Sequence, residues 1–439
     1  MSLFFIKGVQ LLLSLSILII LHELGHFIPA KLFKTRVEKF YLFFDIKFSL
    51  FKRKIGETVY GIGWLPLGGY IKIAGMIDES MDTEHLSKDP EPWEFRSKPA
   101  WQRLIIMLGG VTMNLILGFL IYIMVAFIWG KTIITNEDLP AGYEVAEIMK
   151  PYGFKDGDKI LEVNGENLEN IVDISKYFFL RNVSTVKVER YDGRKEVLSI
   201  PEDIGSQMFE TGNMIPFTAL VQPIIDSVET NSPAQKADLI SEDLILSVNG
   251  KPIIKWQDFT KLVKESSSNT IALDIQRRGR VISKTISLRD DNTIGVSVKV
   301  PVITPTKLSF TISESISRGY KEAYWTLLDY VSQFKYVFSK KGASQLGGFG
   351  TIGGLFPPTW NWQAFLESTA LISIILAFMN LLPIPALDGG HVMFLLYEIV
   401  SGRKPNDKFM EYAQVFGFFL LIALVLFANG NDVYRAIFG

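Results

Sequence analysis

The chain has 439 residues, of which 48% are hydrophobic and 21% are charged, and its formal net charge is −1. The length points to several domains, the near-neutral charge gives no support to a nucleic-acid partner, and the lack of cysteine excludes disulfides and thiol chemistry. Apolar residues are concentrated in four uncharged runs, at 8–21, 104–130, 368–387 and 412–431. Each run, with or without its flanks, is long enough to cross a bilayer. We therefore expect a polytopic α-helical membrane protein with four transmembrane helices.

The first run leads directly into the segment His22-Glu-Leu-Gly-His26. Two histidines four residues apart project from one face of a helix and can hold one metal ion. Glu23 stands beside them, where a carboxylate can take a proton from an attacking water. Three ionisable side chains are costly at membrane depth, which favours a functional role over a chance match. The sequence therefore predicts a metal site inside a membrane span.

Basic residues predict how the helices are oriented. Lys and Arg are frequent after the first run and in the link between the third and fourth, whereas the second run is followed by Lys131, Glu137 and Asp138. By the positive-inside rule, both termini and the large central region lie outside the cytoplasm, and the histidines lie near the cytoplasmic side. We expect the first run to be retained, not removed as a signal peptide, because it carries the metal motif.

The third metal ligand is expected at the end of the third run. That run closes with Asn380-Leu-Leu-Pro-Ile-Pro-Ala-Leu-Asp388, so Asp388 reaches the same end of the bundle as the histidines. A catalytic zinc usually has three protein ligands and an open position. Asp388 is the preferred third ligand, His391 competes with it, and an ordinary Asp-Gly-Gly turn is the alternative without function.

Residues 57–73 are predicted to form a β-hairpin, because β-branched and aromatic residues flank a Pro/Gly-rich turn at 66–69. With few charges, such a hairpin can enter the membrane and offer a strand edge to an unwound substrate. A plain cytoplasmic hairpin is the alternative. In the second run, Gly109 and Gly110 suit close helix packing, and Asn114 can hydrogen-bond to a neighbouring helix.

Residues 132–302 are charged, β-rich and internally repeated. The segment 154–165 recurs at 240–250, and each copy ends in an Asn-Gly pair that predicts a tight hairpin turn. An amphipathic helix is expected after each copy, near 171–180 and 256–264. Farther on, 308–340 is predicted to be an aromatic-rich helix, and the glycine-rich stretch 347–354 a loop.

The two membrane motifs resemble those of the site-2 protease family of intramembrane zinc metalloproteases. That family pairs HExxH with a later N-x-x-P-x-P-x-L-D-G segment, and the match to the second pattern comprises Asn380, Pro383, Pro385, Leu387, Asp388 and Gly389. The resemblance implies a Zn²⁺ ion bound by His22, His26 and Asp388. It also implies that Glu23 is the catalytic acid/base and that Asn380 contacts the substrate backbone. A membrane-associated β-hairpin of the family falls where Gly68, Gly69 and Tyr70 stand, which makes these three candidate substrate-binding residues.

The repeated region resembles two tandem PDZ domains, which indicates the bacterial branch that cleaves membrane-bound anti-sigma factors. PDZ folds bind extended peptide C-termini by strand addition, and a size-exclusion filter is the other role implied. Four parts result. Residues 1–131 hold two transmembrane helices, the HExxH motif and the β-hairpin. The α+β PDZ-like domains, at 132–218 and 219–302, lie outside the cytoplasm. Residues 303–439 hold an interfacial helix and loop and two further transmembrane helices.

The implied function is zinc-dependent intramembrane cleavage of single-span membrane proteins. These substrates are of the anti-sigma-factor type, with signal-peptide remnants as a second class, and their outer domain is trimmed beforehand. The protein is expected in the inner membrane, in contact with lipid. Two alternatives stay open. One is a membrane-tethered zincin that cuts soluble chains, with Glu398 or Glu411 as third ligand. The other is a non-catalytic PDZ scaffold, in which Glu23→Gln leaves the phenotype unchanged.

Overall fold

The computed structural model describes residues 3–66, 68–76 and 89–438, with only the backbone of residue 407. These residues fall into two units. We call residues 1–130 and 309–439 the membrane unit, and residues 131–308 the inserted unit. The helices, in chain order, are α1 Leu3–Leu32, α2 Ala100–Trp129, α3 Ile174–Leu180, α4 Ile204–Thr211, α5 Pro233–Lys236, α6 Trp256–Lys264, α7 Ile312–Val337, α8 Lys340–Gln345, α9 Phe349–Gly354, α10 Trp362–Leu381, α11 Asp388–Ser401 and α12 Asp407–Phe438.

The strands of the membrane unit are β1 Val37–Leu42, β2 Phe44–Ile55, β3 Thr58–Leu65 and β4 Tyr70–Ile73. Those of the inserted unit are β5 Lys131–Ile133, β6 Tyr143–Val145, β7 Lys159–Val163, β8 Glu166–Asn167, β9 Thr185–Glu189, β10 Lys195–Ser199, β11 Phe217–Ala219, β12 Ile225–Val228, β13 Leu244–Val248, β14 Lys251–Pro252, β15 Thr270–Arg277, β16 Arg280–Ser287, β17 Val296–Val298 and β18 Thr306–Leu308.

Within the described part of the chain, four helices are long and apolar enough to span a membrane: α1, α2, α10 and α12. The prediction of four apolar helices of spanning length is confirmed. Helices α1 and α12 extend beyond both ends of their uncharged runs, whereas α10 begins before its run and ends at Leu381, six residues before the run does. Helix α2 ends at Trp129 and is followed by Gly130, whose positive φ of +73° suits a residue without a side chain. Helix α10 ends two residues before Pro383, which cannot continue a helix.

Small residues allow α1 and α2 to pack with their backbones in contact. A Cβ atom on Gly25 of α1 would overlap the carbonyl of Gly109 on α2, and one on Gly109 would overlap the carbonyl of Gly25. On another part of α2, the Ser373 hydroxyl of α10 donates to the Asn114 carbonyl at 2.7 Å. Helix α2 is thus the central helix of the membrane unit, and its close approach to α1 positions the HExxH segment.

The sheet of the membrane unit corrects one prediction. Its strand order is β2-β3-β1-β4, so β3 and β4 do not form a hairpin over residues 57–73. Strand β1 lies between them, parallel to β3 and antiparallel to β4. The hairpin of this sheet is instead β2–β3. The prediction was wrong because it paired segments adjacent in sequence, whereas β1 follows α1 directly and fills the gap with its own hydrogen bonds.

The inserted unit contains two four-stranded sheets of the same design, with orders β10-β9-β7-β8 and β14-β13-β15-β16. The predicted Asn-Gly turns are confirmed, because the residues at 164–165 and 249–250 all have positive φ, as a type I′ turn requires. Each sheet covers a hydrophobic core, around Phe154 and Phe178 in the first and around Phe259 and Leu273 in the second. The helices expected after each turn are observed as α3 and α6.

Each repeat also pairs a buried aspartate with an arginine, at matching positions. In the first, Arg190 Nη1 donates to Asp158 Oδ2 at 2.6 Å, and in the second, Arg277 Nε donates to Asp243 Oδ1 at 2.7 Å. Burial raises the pKa of Asp158, and the hydrogen bonds and charge of Arg190 oppose that rise. The pairs therefore satisfy carboxylates that would be costly to bury alone.

The segment between the inserted unit and the third span is more helical than predicted. The expected aromatic helix is α7, which begins with a capping box between Thr311 and Glu314. The glycine-rich stretch was expected to be a loop, but it forms the short helix α9. Asp432 of α12 accepts hydrogen bonds from Gly348 N and Thr351 N, each at 3.0 Å. This contact from another helix offsets the low helix propensity of glycine.

Candidate metal centre

Three ligand-type side chains converge where α1 meets the start of α11. His22 and His26 lie one helical turn apart on α1, and Asp388 is the first residue of α11. Asp388 Oδ2 lies 3.2 Å from His22 Nε2 and 3.4 Å from His26 Nε2, and the two Nε2 atoms are 3.3 Å apart. Among the residues that the structure describes, these three form the one cluster with metal-ligand spacing.

The hydrogen bond of the second histidine fixes which ring nitrogen carries its proton. His26 Nδ1 lies 2.8 Å from the carbonyl oxygen of Ile106 on α2. A carbonyl oxygen only accepts, so the proton is on Nδ1 and the lone pair on Nε2 points at the cluster. This arrangement is the usual second contact of a metal-binding histidine.

The first histidine has a comparable partner in Asn114 of α2. His22 Nδ1 is 3.2 Å from Asn114 Nδ2, and Asn114 Oδ1 is buried without a partner among the described residues. The two amide orientations place different atoms at nearly the same positions. With the amide turned over, Oδ1 accepts from a protonated Nδ1, and the His22 Nε2 lone pair also faces the cluster.

The donor set fits zinc. Two Nε2 lone pairs and an anionic oxygen held 3.2–3.4 Å apart repel one another, and Asp388 Oδ2 is buried with no hydrogen-bond partner in the described part of the chain. A cation at their centre removes both costs. Tetrahedral zinc with ligand bonds of about 2.0–2.1 Å holds its ligand atoms about 3.3 Å apart, which is the spacing found here.

None of the competing third ligands joins the three-residue cluster. His391 Nε2 lies 3.4 Å from Gln414 Nε2 and does not join the three-atom cluster. Glu398 accepts a hydrogen bond of 2.5 Å from Arg103 Nη2. Glu411 lies half-buried on α12, outside the cluster. The geometry thus favours Asp388 over each of the alternatives.

The cluster opens into a cavity of about 720 Å³, which also contains the buried carboxylate of Glu23. Its walls come from α1, from β4 and the start of β2 in the sheet, from the turn before Asp388 and the first turn of α11, and from α12. A cavity of this size is typical of ligand sites. Glu23, the three convergent side chains and one edge of the sheet therefore share a single chamber.

The predicted substrate-binding residues take different places around this chamber. Gly69 and Tyr70 line it, and a Cβ on Gly69 would lie 3.7 Å from Glu23 Cγ. Gly68 instead faces the Phe44 ring, 2.9 Å from where its Cβ would stand. Asn380 is half-buried near the end of α10 and is not among the residues that line the cavity.

Sequence reasoning missed two contributors to the site. Gly110 was assigned to helix packing, yet a Cβ there would lie 2.6 Å from His22 Cε1 and would overlap His26 Nε2. Asn114 was predicted to hydrogen-bond to a neighbouring helix, and it does, but the sequence did not show that its partner is a ring of the metal motif. Their spacing of four residues on α2 was the available signal, because it puts both on the face that meets α1.

Known proteins resemble this chain over nearly its whole length. The model of the family described as Peptidase family M50 matches residues 10–424. The chain is 27% identical to the regulator of sigma-E protease of Escherichia coli, over 97% of each protein. It is 28% identical to the regulator of sigma E protease of Haemophilus influenzae, over 97% of this chain and 98% of the relative. A Neisseria meningitidis protein that bears a provisional zinc-metalloprotease name is 28% identical, over 96% of this chain and 97% of the relative.

The family match explains why a set of donor atoms suited to zinc lies inside an apolar helix bundle. HExxH lies on a helix that can span a membrane, and the Asp388 segment follows another. The relatives are named as proteases and as zinc metalloproteases. The chain belongs to peptidase family M50, the site-2 proteases, and is an intramembrane zinc metalloprotease.

Proposed function

We propose that this protease cleaves single-span membrane proteins of the anti-sigma-factor type after their outer domain has been trimmed. His22, His26 and Asp388 hold the zinc ion, and Glu23 is the catalytic acid/base. The observation that carries this assignment is the convergence of the three donor atoms at 3.2–3.4 Å in the chamber that also holds Glu23. The names of the relatives from E. coli and H. influenzae support a substrate linked to sigma-E regulation.

Different residues of the chain have different roles in peptide hydrolysis. The Ile106 carbonyl and the Asn114 amide hold the imidazoles with Nε2 facing the centre. When bound, zinc supplies Lewis acidity, which makes water nucleophilic near pH 7 and polarises the carbonyl that is attacked. Glu23 takes the proton of the attacking water and passes it to the leaving nitrogen. Because Glu23 follows His22 directly on α1, its carboxylate is delivered to the chamber with the first ligand.

The edge of the sheet supports a mode of substrate binding. Strand β4 is the outermost strand in the order β2-β3-β1-β4, and the stretch from Gly69 to Ile73 lines the chamber. An edge strand can add an extended peptide by main-chain hydrogen bonds. We assign this role to Gly69 and Tyr70, with Gly68 shaping the turn before them. A backbone contact by Asn380 rests on the family resemblance alone.

Tyr70 has a supported position at this edge. Its ring stacks on Tyr41, with centroids 5.3 Å apart, and its hydroxyl donates to Asp45 Oδ1 at 2.8 Å. Lys39 Nζ donates to the same hydroxyl. A side chain with several partners is pre-organised, which favours a wall of a substrate site over a mobile surface group.

We further infer an inner-membrane location, with lipid around the four spanning helices. Both termini and the inserted unit lie on the periplasmic side, and the chamber lies near the cytoplasmic side. The basic residues that follow α1 support this orientation, since Lys31, Lys34 and Arg36 stand within ten residues of His26.

The two repeats act as PDZ-like domains, at about 132–218 and 219–302, that exclude untrimmed substrates by size. Binding of peptide C-termini is the second role for such folds. Strands β5 and β18 pair with each other, so the chain enters and leaves the inserted unit through adjacent strands. Excising residues 134–305 and joining Ile133 to Thr306 by a short Gly-Ser linker should permit cleavage of untrimmed substrate. Continued dependence on trimming would refute the filter.

Ligand identity is tested by the zinc content of purified variants. His22→Ala, His26→Ala and Asp388→Ala should each reduce bound zinc strongly, whereas Glu398→Gln and Glu411→Gln should retain it. Glu398→Gln also removes the partner of Arg103, so its folding is checked by thermal unfolding. Loss of zinc in a Glu398 or Glu411 variant that is folded, with zinc retained in Asp388→Ala, would favour the tethered zincin and contradict the proposal.

A further inference from the structure

The turn that carries Asp388 has an unusual backbone. Ala386, two residues before Asp388, adopts a left-handed φ of +76°. An L-residue with a side chain is strained there, and the conformation persists only where the surroundings enforce it. The next residues begin α11 with Asp388 itself. Whatever holds Ala386 therefore also determines where the Asp388 carboxylate stands relative to the two histidines.

Gln414 of α12 contacts both ends of this turn. The side chain is buried, with the residue 6% exposed. Its Oε1 accepts a hydrogen bond from Ala386 N at 3.3 Å, and its Nε2 lies 3.4 Å from His391 Nε2. Because the backbone N–H can only donate, the amide orientation is fixed, and Nε2 donates to His391. One side chain thus ties residue 386 to residue 391, on either side of Asp388.

Helix α12 reaches the turn at a second point as well. Gly417, nearly one helical turn after Gln414, lies so close to Pro385 that a Cβ would overlap the Pro385 carbonyl. Toward its C-terminal end α12 also holds α9 through Asp432, but only 11% of its most apolar stretch is buried, against 39% for α10. Its contact with the Pro385–Ala386 backbone is therefore a local docking point on a helix that is mostly exposed along its length.

We propose that Gln414 is a positioning residue for the zinc site. By holding the strained Ala386 and His391 together, it keeps Asp388 in place opposite His22 and His26, so the fourth spanning helix completes the metal centre without supplying a ligand. This inference rests on the proposed role of Asp388. Supporting residues of this kind change metal affinity by about 10- to 100-fold when they are replaced.

The test is zinc affinity, measured by chelator competition on the full-length protein in detergent. Gln414→Met keeps the side-chain length and apolar stem but leaves the Ala386 N–H without its acceptor, and it should weaken zinc binding about 10- to 100-fold. Gln10→Met is the matched control. Gln10 is fully buried on α1 and donates to a main-chain carbonyl of another segment, that of Pro357 at 2.9 Å, away from the three ligands. It should leave zinc affinity unchanged.

Two further variants separate positioning from general destabilisation. Ala386→Gly adopts the left-handed φ without strain, so combining it with Gln414→Met should recover part of the lost affinity. Gln414→Glu keeps an acceptor for the Ala386 N–H and should bind zinc more tightly than Gln414→Met. Thermal unfolding of the zinc-free proteins should fall comparably in the Gln414→Met and Gln10→Met variants, since each removes a buried amide.

The outcomes distinguish this inference from the proposed function. Wild-type affinity in a folded Gln414→Met protein, with strong loss in Asp388→Ala, overturns the role of Gln414 and leaves the ligand assignment intact. Wild-type affinity in Asp388→Ala overturns both. Equal loss of affinity in Gln10→Met and Gln414→Met, or no recovery with Ala386→Gly, also contradicts the inference, because the effect is then not transmitted through the turn.

Discussion

Replacing Gly110 of α2 by alanine should displace the two histidines of the metal centre and weaken zinc binding. The added Cβ would stand 2.6 Å from His22 Cε1 and 2.8 Å from His22 Nε2, and it would overlap His26 Nε2. Ordinary van der Waals contact begins near 3.4 Å, so the His22 ring must move by about 0.8 Å and the His26 ring by more, or α1 and α2 must separate. Neither movement is easy, because Gly25 and Gly109 already hold the two backbones in contact.

The expected size of the effect follows from the cost of overpacking. Inserting a methyl group into a well-packed site costs about 1–3 kcal/mol. If that cost falls on the zinc-bound arrangement, zinc affinity should decrease roughly 5- to 140-fold, at about 1.4 kcal/mol per tenfold change. The assay is chelator competition for zinc, followed on the same samples by thermal unfolding in the zinc-free state.

Gly118→Ala provides the matched control on the same helix. Its Cβ would stand 2.8 Å from Ile374 Cγ1 and 3.3 Å from the Ala370 carbonyl oxygen, and neither atom belongs to the metal centre. This variant should lose some stability and keep its zinc affinity. If Gly110→Ala binds zinc like the wild type, or if both variants weaken zinc equally, the tight placement of the two imidazoles against α2 is not what organises the site.

Three further predictions concern the metal centre and the buried ion pair of the second repeat. Asn114→Ala should weaken zinc about 10- to 100-fold, whereas Asn114→Asp, which can accept from His22 Nδ1, should retain it; equal loss in both would remove Asn114 from the site. Zinc at a thousand times its dissociation constant should stabilise the wild type by about 4 kcal/mol, measured as a rise in Tm that His22→Ala must lack if the assignment holds. Arg277→Met leaves the buried Asp243 carboxylate without its charged partner. It should lower the free energy of unfolding of the second repeat by about 3–5 kcal/mol, measured by hydrogen exchange. The exposed Arg194 gives the control, since Arg194→Met should change protection little, and equal effects would contradict the role of burial.

Features that depend on local pattern were predictable from the sequence. The four spans follow from uncharged runs, and the pairing of His22 with His26 follows from helical periodicity. The Asn-Gly turns at 164–165 and 249–250 follow from the need for two successive positive φ values. In each case the information lies within one element, where a few neighbouring residues determine the backbone.

Contacts between distant segments were not predictable in this way. Strand β1 separates β3 from β4, which no pattern inside residues 57–73 indicates. The capping of α9 by Asp432 joins residues more than eighty positions apart. Gln414 had no motif around it, and its contact with Ala386 depends on where α12 docks. Asp388 is an intermediate case, because topology placed it at the correct end of the bundle but could not exclude His391.

The most direct test of the central claim is cleavage of a pre-trimmed single-span model substrate by purified wild type and Glu23→Gln. Both proteins are first shown to contain zinc, since Glu23 is proposed as acid/base and not as ligand, and the products are mapped by mass spectrometry. A cut within the membrane segment that is lost in Glu23→Gln is the predicted result. A cut that persists at the wild-type rate in zinc-loaded Glu23→Gln, or that falls outside the membrane segment, would contradict intramembrane proteolysis by this centre.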